Sequence, residues 1–276
     1  MKYLPIAVNT YSYIYKLSAL DAMRHLLEMG FQRFELLFNF DHIWVSELEP
    51  DIRRVRPSWV SEEGGEVISF NLPIMDHNLT SPNPDMRAFT IERFTELIEL
   101  AGLWSVPYVV LVPGKISPLL PAPSASLASW FYDGVNQLAE RAAQCGTKIL
   151  VENVPVTFAP LASDLSTALG ELADERVGVV YDVANGFFAG EDPASGIHAL
   201  RDRIDLIHLS DTGRKHWRHD PIGTGEIDFE SVAEAIRSIN FSGQSVMEVI
   251  SSDPDRELPE SQRLLALWGW QGSEVE

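Results

Sequence analysis

Short apolar, β-branched runs recur along the chain, separated by longer stretches in which apolar positions return every three or four residues. The short runs predict strands over residues 4–9, 32–37, 66–72, 107–112, 148–152, 177–182, 204–209 and 244–249. Several are apolar almost throughout, the pattern of parallel strands covered on both faces. The longer stretches predict helices over 18–30, 83–104, 124–146, 163–174 and 228–239. Ser18 is placed to cap the first and Gly30 to end it, and Pro84 sits near the start of the second. A last apolar segment, 259–270, would close the ring.

Eight strands alternating with helices in 276 residues predict an α/β protein, a single (β/α)8 TIM barrel occupying residues 1–276. An open doubly wound sheet has a similar count, but it expects a glycine-rich phosphate turn after the first strand. Here TYSYIYKLS follows Asn9, with no glycine. Residues 38–65 and 113–125 are the longest irregular stretches. Both follow strands, which places them on the catalytic face of a barrel.

Composition narrows the function. Hydrophobic residues make up 45% of the chain and charged residues 22%, enough apolar surface for a real core. The formal net charge of -19 repels phosphate backbones and anionic headgroups, so neither nucleic acid nor membrane is expected as a partner. One cysteine, Cys145, rules out an internal disulfide and fits a reducing compartment. No apolar run approaches a membrane span and the N-terminus lacks a signal-like stretch, so a cytoplasmic location is expected.

The candidate chemistry lies at strand ends. In a barrel, side chains at the C-terminal ends of strands face the active-site mouth. The fifth strand ends at Glu152, the sixth at Asp182, the seventh carries His208 and the eighth Glu248. Each interrupts an apolar run, where a charge is costly unless paired or bound to an ion. Three carboxylates crowded together repel, and a cation resolves the conflict. Oxygen and imidazole donors without thiolate suit one divalent ion, Mn²⁺, Mg²⁺, Co²⁺ or Zn²⁺. Glu35, Asn71, Asp76, His77, Lys115 and Asn9 lie near other strand ends. Of these Glu35, His77 and Lys115 join the candidate substrate contacts.

The runs VENVP (151–155), YDVAN (181–185), HLSDTGRKHWRHDPIGTGEIDF (208–229) and VMEVI (246–250) resemble the xylose-isomerase-like barrel superfamily of sugar isomerases and epimerases. The resemblance covers nearly the whole chain and is strongest over 148–250. It implies that Glu152, Asp182, His208 and Glu248 hold one divalent ion. In the ketose 3-epimerase branch it further implies that Glu152 and Glu248 move a proton alpha to a carbonyl through an enediolate. Arg214, six residues after His208, matches an arginine that meets substrate hydroxyls, with Asp211 as its supporting neighbour. His219 resembles a further metal-ligand position of the apurinic-endonuclease branch and is expected to lie just behind the four ligands.

Three departures bear on the substrate. Asn185 stands where sugar epimerases carry a histidine, and is expected to hydrogen-bond a hydroxyl. Phe158 replaces a glutamate often found six residues after the strand-five ligand. Val112 and Trp217 stand where the three-zinc endonucleases have histidine and aspartate. Substrate contacts are therefore expected to differ from those of the ketose epimerases, and the substrate need not be a free ketose; the resemblance implies a small sugar or polyol-derived partner, and barrels of this kind often form homo-oligomers. The leading expectation is a metal-dependent isomerase or epimerase. A lyase of the 3-dehydroshikimate or inosose dehydratase type shares the first proton abstraction. An endonuclease ranks third and a non-enzymatic barrel fourth.

Overall fold

The structure, a computed structural model, describes residues 3–73, 76–172 and 174–271. Eight parallel strands close on themselves: β1 (Leu4–Asn9), β2 (Arg33–Leu37), β3 (Glu66–Asn71), β4 (Tyr108–Leu111), β5 (Lys148–Glu152), β6 (Val177–Asp182), β7 (Ile204–Leu209) and β8 (Gln244–Met247). Each pairs with the next, and β1 pairs with both β2 and β8, which completes the barrel. A ninth strand, β9 (Trp270–Gln271), adds to β1 through Leu4 and Pro5. Trp270 is fully buried there, its indole N–H donating to Ser245 Oγ at 2.9 Å.

The helices are α1 (Ala19–Glu28), α2 (Pro50–Arg54), α3 (Trp59–Glu62), α4 (Pro84–Trp104), α5 (Ser124–Cys145), α6 (Ala162–Leu172), α7 (Val183–Ala189), α8 (Pro193–Ala199), α9 (Phe229–Ser238) and α10 (Pro254–Leu267). Their ends follow local chemistry. Ser18 Oγ accepts from Asp21 N at the start of α1, Asn83 Oδ1 from Asp85 N at α4, and Asp228 Oδ1 from Glu230 N and Ser231 N at α9. Helix α5 ends where Gly146 turns left-handed at φ 75°. Along α1, Ala19, Ala22, Met23 and Leu26 form one buried stripe.

Two layers of core result. Outward-facing strand residues such as Phe34, Phe70, Val109, Ile149 and Val179 pack under the helices. Inward-facing Ala7, Ile68, Val110, Leu150, Val180, Leu206 and Val246 fill the barrel itself. The interior is thus a plug of side chains and forms the floor on which the site stands.

Strands one, five, six and seven run as the sequence predicts, and the others differ by a residue or two at one or both ends. One difference matters: β8 ends at Met247, so Glu248 sits one residue past the strand, still held because its amide donates to Leu209 O at 3.0 Å. Helix α10 begins five residues before the expected 259, with Pro254 in its first turn. The stretch 38–65, read as irregular, contains α2 and α3, and two helices, α7 and α8, fill the β6–β7 connection, where none was expected.

Candidate metal centre

Strand periodicity builds the site. Side chains two residues apart point to the same face. Leu150, Val180, Leu206 and Val246 belong to the barrel plug. Two residues further on stand Glu152, Asp182, His208 and Glu248, all buried, with one donor atom from each within 4.8 Å of the others. His208 Nδ1 lies 3.1 Å from Glu248 Oε2, 3.5 Å from Glu152 Oε1 and 4.0 Å from Asp182 Oδ2.

The donors fit a cation. Asp182 Oδ1 caps α7 by accepting from Asn185 N at 2.7 Å, whereas Oδ2 is buried with no hydrogen-bond partner. A bare carboxylate oxygen beside two more carboxylates is costly unless a cation meets it. His208 is oriented for the same purpose. Its Nδ1 faces the three carboxylates, and its Nε2 faces Glu35 at 3.2 Å. Glu35 is itself fixed by Asn9 Nδ2 at 2.6 Å and Ser69 Oγ at 2.6 Å. This is the outer support that aims a ligating imidazole. The group could hold a metal ion through Glu152, Asp182, His208 Nδ1 and Glu248.

The charges are held unevenly. Burial pushes Glu152 up to about 7, despite its hydrogen bond to His208. Burial likewise raises Asp182 to about 6, against the pull of His219. Burial would raise Glu248 too, but the neighbouring His208 and His219 outweigh it and hold Glu248 below the usual range. Burial opposes the charged form of His208, yet Glu35 and Glu248 keep its pKa well above that of a free imidazole. Without a cation the cluster therefore keeps protons that a metal would displace.

A sequence profile of the xylose isomerase-like TIM barrel matches residues 23–268. The chain belongs to that family. An uncharacterized protein of Methanocaldococcus jannaschii is 24% identical over 232 residues, covering 82% of this chain and 77% of its own. A probable endonuclease 4 of Acholeplasma laidlawii is 24% identical over 58% of this chain and 59% of its own length. An inosose dehydratase of Lacticaseibacillus casei is 24% identical over 46% of this chain and 48% of its own. The chain thus spans about half the length of the dehydratase and three-fifths of the endonuclease. Among solved structures, a D-tagatose 3-epimerase-like protein aligns with TM-score 0.83 at 21% identity, over 96% of this chain and 97% of that one. A 3-keto-D-glucoside 4-epimerase from E. coli aligns at 0.80 and 19%, over 96% and 99%. At these identities the structural likeness establishes the shared barrel.

In this xylose isomerase-like barrel a mouth cavity of about 480 Å³ opens above the group. Glu152, Glu248, Asn185 and His219 line it together with Tyr11, Asn71, Val112 and Trp217. His219 Nδ1 stands 3.6 Å from Asp182 Oδ2 and 3.5 Å from Glu248 Oε2, so it touches the cluster. Asn185, expected to meet a hydroxyl, has both ends of its amide engaged. It donates to Glu152 Oε1 at 3.3 Å and accepts from Trp217 Nε1 at 2.6 Å. Its position there orients Glu152.

Other expected contacts lie elsewhere. The guanidinium of Arg214 donates to the carbonyls of Phe187 and Glu191 and stacks on the Phe187 ring, outside the lining of the mouth. Asp211 accepts from the amides of Thr212, Gly223 and Ile227, which shapes the β7–α9 loop and leaves it no contact with the four donors. Glu35 ends up below the cluster and fully buried, because β2 runs two residues past it. Lys115 pairs its backbone with Thr157 on the rim, and His77 lines an adjoining cavity. Trp217, read in the sequence only as a missing ligand, lines the mouth beside Asn185. Its indole N–H reaches Asn185 across 32 residues, and no local pattern signals that.

Proposed function

We propose that the barrel is a divalent-metal-dependent isomerase or epimerase acting on a sugar or polyol-derived ketone. The observation that carries this reading is the pair Glu152 and Glu248. Both are buried, both line one cavity, and their surroundings drive their proton affinities in opposite directions. Two carboxyls set apart in this way are the requirement for an acid and a base in one site at neutral pH.

Glu248, ionised, takes the proton from the carbon beside the carbonyl, and Glu152, whose buried setting favours its protonated form, takes up a proton from the mouth and returns it to the other face. The reverse reaction exchanges their roles. Asn185 and Trp217 keep the Glu152 carboxyl aimed into the mouth. Val112, Val154, Leu37 and Ile250 give the cavity apolar walls that exclude water and strengthen each charge inside. Glu152, Asp182, His208 and Glu248 would hold a single Mn²⁺, Mg²⁺, Co²⁺ or Zn²⁺, which would supply electrostatic stabilisation of the oxygen that becomes negative as the proton leaves.

A lyase of the dehydratase type is the second reading, favoured by the likeness to an inosose dehydratase. It uses the same proton abstraction and then expels a β-hydroxyl. An endonuclease reading finds less support, since Val112 and Trp217 put carbon at the mouth where the resemblance asks for additional ligands.

The test is deuterium exchange. Metal-loaded protein in D₂O is offered ketoses, inososes and 3-dehydroshikimate, and NMR follows the proton alpha to the carbonyl. Exchange with a configurational change supports the epimerase, and exchange with loss of water supports the lyase. Glu248→Gln should slow exchange by roughly 100-fold or more with the fold intact. Wild-type exchange in that variant would sink the acid/base assignment.

A further inference from the structure

The mouth cavity continues into a second compartment of about 600 Å³, which shares Tyr11, Leu37 and Pro73 with it. The second compartment lies beyond the C-terminal ends of β1, β2 and β3, opposite the carboxylate half of the barrel. Aromatic side chains make half of its described wall: Tyr11, Tyr15, Phe38, Phe40, Trp44 and Phe89. Tyr15 is 79% exposed, Phe40 64% and Phe89 41%. Large rings left in water side by side mark a surface that binds something apolar.

The rings are arranged as a platform. Phe40 and Trp44 lie 6.5 Å apart, Trp44 and His77 6.2 Å, and His77 stacks on Phe89 at 5.9 Å with an 8° angle between planes. His77 Nδ1 donates to Pro73 O, so Nε2 carries the lone pair, and burial lowers its pKa and favours this neutral form. That Nε2 is buried without a hydrogen-bond partner, which leaves the wall one acceptor for a hydroxyl. Among the described residues no lysine or arginine lines the compartment and Asp76 is its one carboxylate; the Arg93 guanidinium over Phe89 is already paired with Glu92 and Glu96. Phosphate and other anions are therefore disfavoured, and a neutral flat ring is favoured.

A monosaccharide needs only the mouth cavity. We infer that the substrate has two parts, a sugar-derived ketone joined to a neutral aryl group, and that the aryl group lies against the aromatic platform. This rests on the reading of the carboxylate site as acting on a sugar, but the platform is testable without turnover.

The experiment is calorimetric binding to metal-loaded protein, with methyl and phenyl β-D-glucopyranosides and, as the cellobiosyl probe, methyl β-cellobioside. The phenyl glucoside should bind about 10-fold more tightly than the methyl glucoside. The exposed pair Tyr15→Ala and Phe40→Ala, made together, should reduce that advantage to about twofold or less. Glu248→Gln should keep it, which separates a failed platform from a failed acid/base pair. Equal affinity for phenyl and methyl probes, or a phenyl advantage that survives the double variant, would overturn the inference. A gain confined to the cellobiosyl probe would overturn the aryl class in favour of a second sugar.

Discussion

Loading the centre with a divalent ion should release protons, and the number should depend on pH. Glu152 is raised to about 7 and Asp182 to about 6, both mainly by burial. A bound cation needs both ionised. At pH 6 about 0.9 proton sits on Glu152 and about 0.5 on Asp182, whereas at pH 8 the two together hold about 0.1. Binding at pH 6 should therefore release about 1.3 more protons than at pH 8, and the competition should weaken Mn²⁺ binding about 20-fold between the two pH values. His208, whose pKa is also raised, must give up its Nδ1 proton as well, which further weakens binding toward low pH. The assay is isothermal titration of the metal-free protein with Mn²⁺ in two buffers of different ionisation enthalpy, which reads protons directly. Proton release and affinity that do not change between pH 6 and pH 8 would refute the reasoning, because the carboxylates would then be ionised before the metal arrives.

Four further outcomes follow from named contacts. Glu35→Gln keeps the shape under His208 but removes the charge opposite Nε2, and should weaken Mn²⁺ binding by about 10–100-fold in the same titration. Trp217→Phe keeps the ring beside Phe188 and removes the N–H that holds Asn185; it should slow deuterium exchange by roughly fivefold with little change in KM. Leu150→Ala opens a cavity in the barrel plug and should cost about 2–5 kcal/mol in urea unfolding. His42 is buried between Leu17 O and Thr10 Oγ1, and burial lowers its pKa. The unfolded chain then takes a proton near pH 6.5 that the folded one refuses, so stability falls as pH drops below that value. In metal-saturated protein, His42→Asn should flatten this part of the curve, and an unchanged slope in thermal melts would count against it.

Much of this architecture is legible in sequence because barrel strands buried on both faces are short, apolar and bounded. Lys148–Glu152, Val177–Asp182 and Ile204–Leu209 end where the polar ligands begin, so their limits and their chemistry coincide. The ligand group is legible for the same reason: a charge in an apolar strand needs a cause. Helices α7 and α8 were hidden by composition. Gly186, Gly190, Pro193 and Gly196 read as turn residues over that stretch. In the fold, a Cβ at Gly186 or Gly196 would collide with the Tyr181 hydroxyl, which bonds Glu191 Oε2 at 2.8 Å. The glycines answer to a tertiary contact, and local propensity cannot show it. Arg214 misleads in the opposite way. Its spacing from His208 resembles that of the epimerases, but the carbonyls of Phe187 and Glu191 and the Phe187 ring hold the guanidinium.

The two halves of the mouth carry different physics. Strands β5 to β8 supply Glu152, Asp182, His208 and Glu248, buried and mutually dependent, so a change to one shifts the protons of the rest. The segments after β1 to β3 supply exposed rings, of which Phe89 alone among the described ones has a guanidinium, that of Arg93, over its face. Tyr11 and Asn71 lie between them: Asn71 donates to Glu35 Oε1 at 3.3 Å and Glu248 Oε1 at 3.4 Å, and Tyr11 lines both cavities. Buried coupled charges tolerate little substitution, because each loss leaves an uncompensated partner. Exposed rings tolerate a great deal, because losing one gives up only its own contact area. On the proposed reading, the chemistry falls to the half that cannot change alone, and the choice of substrate to the half that can.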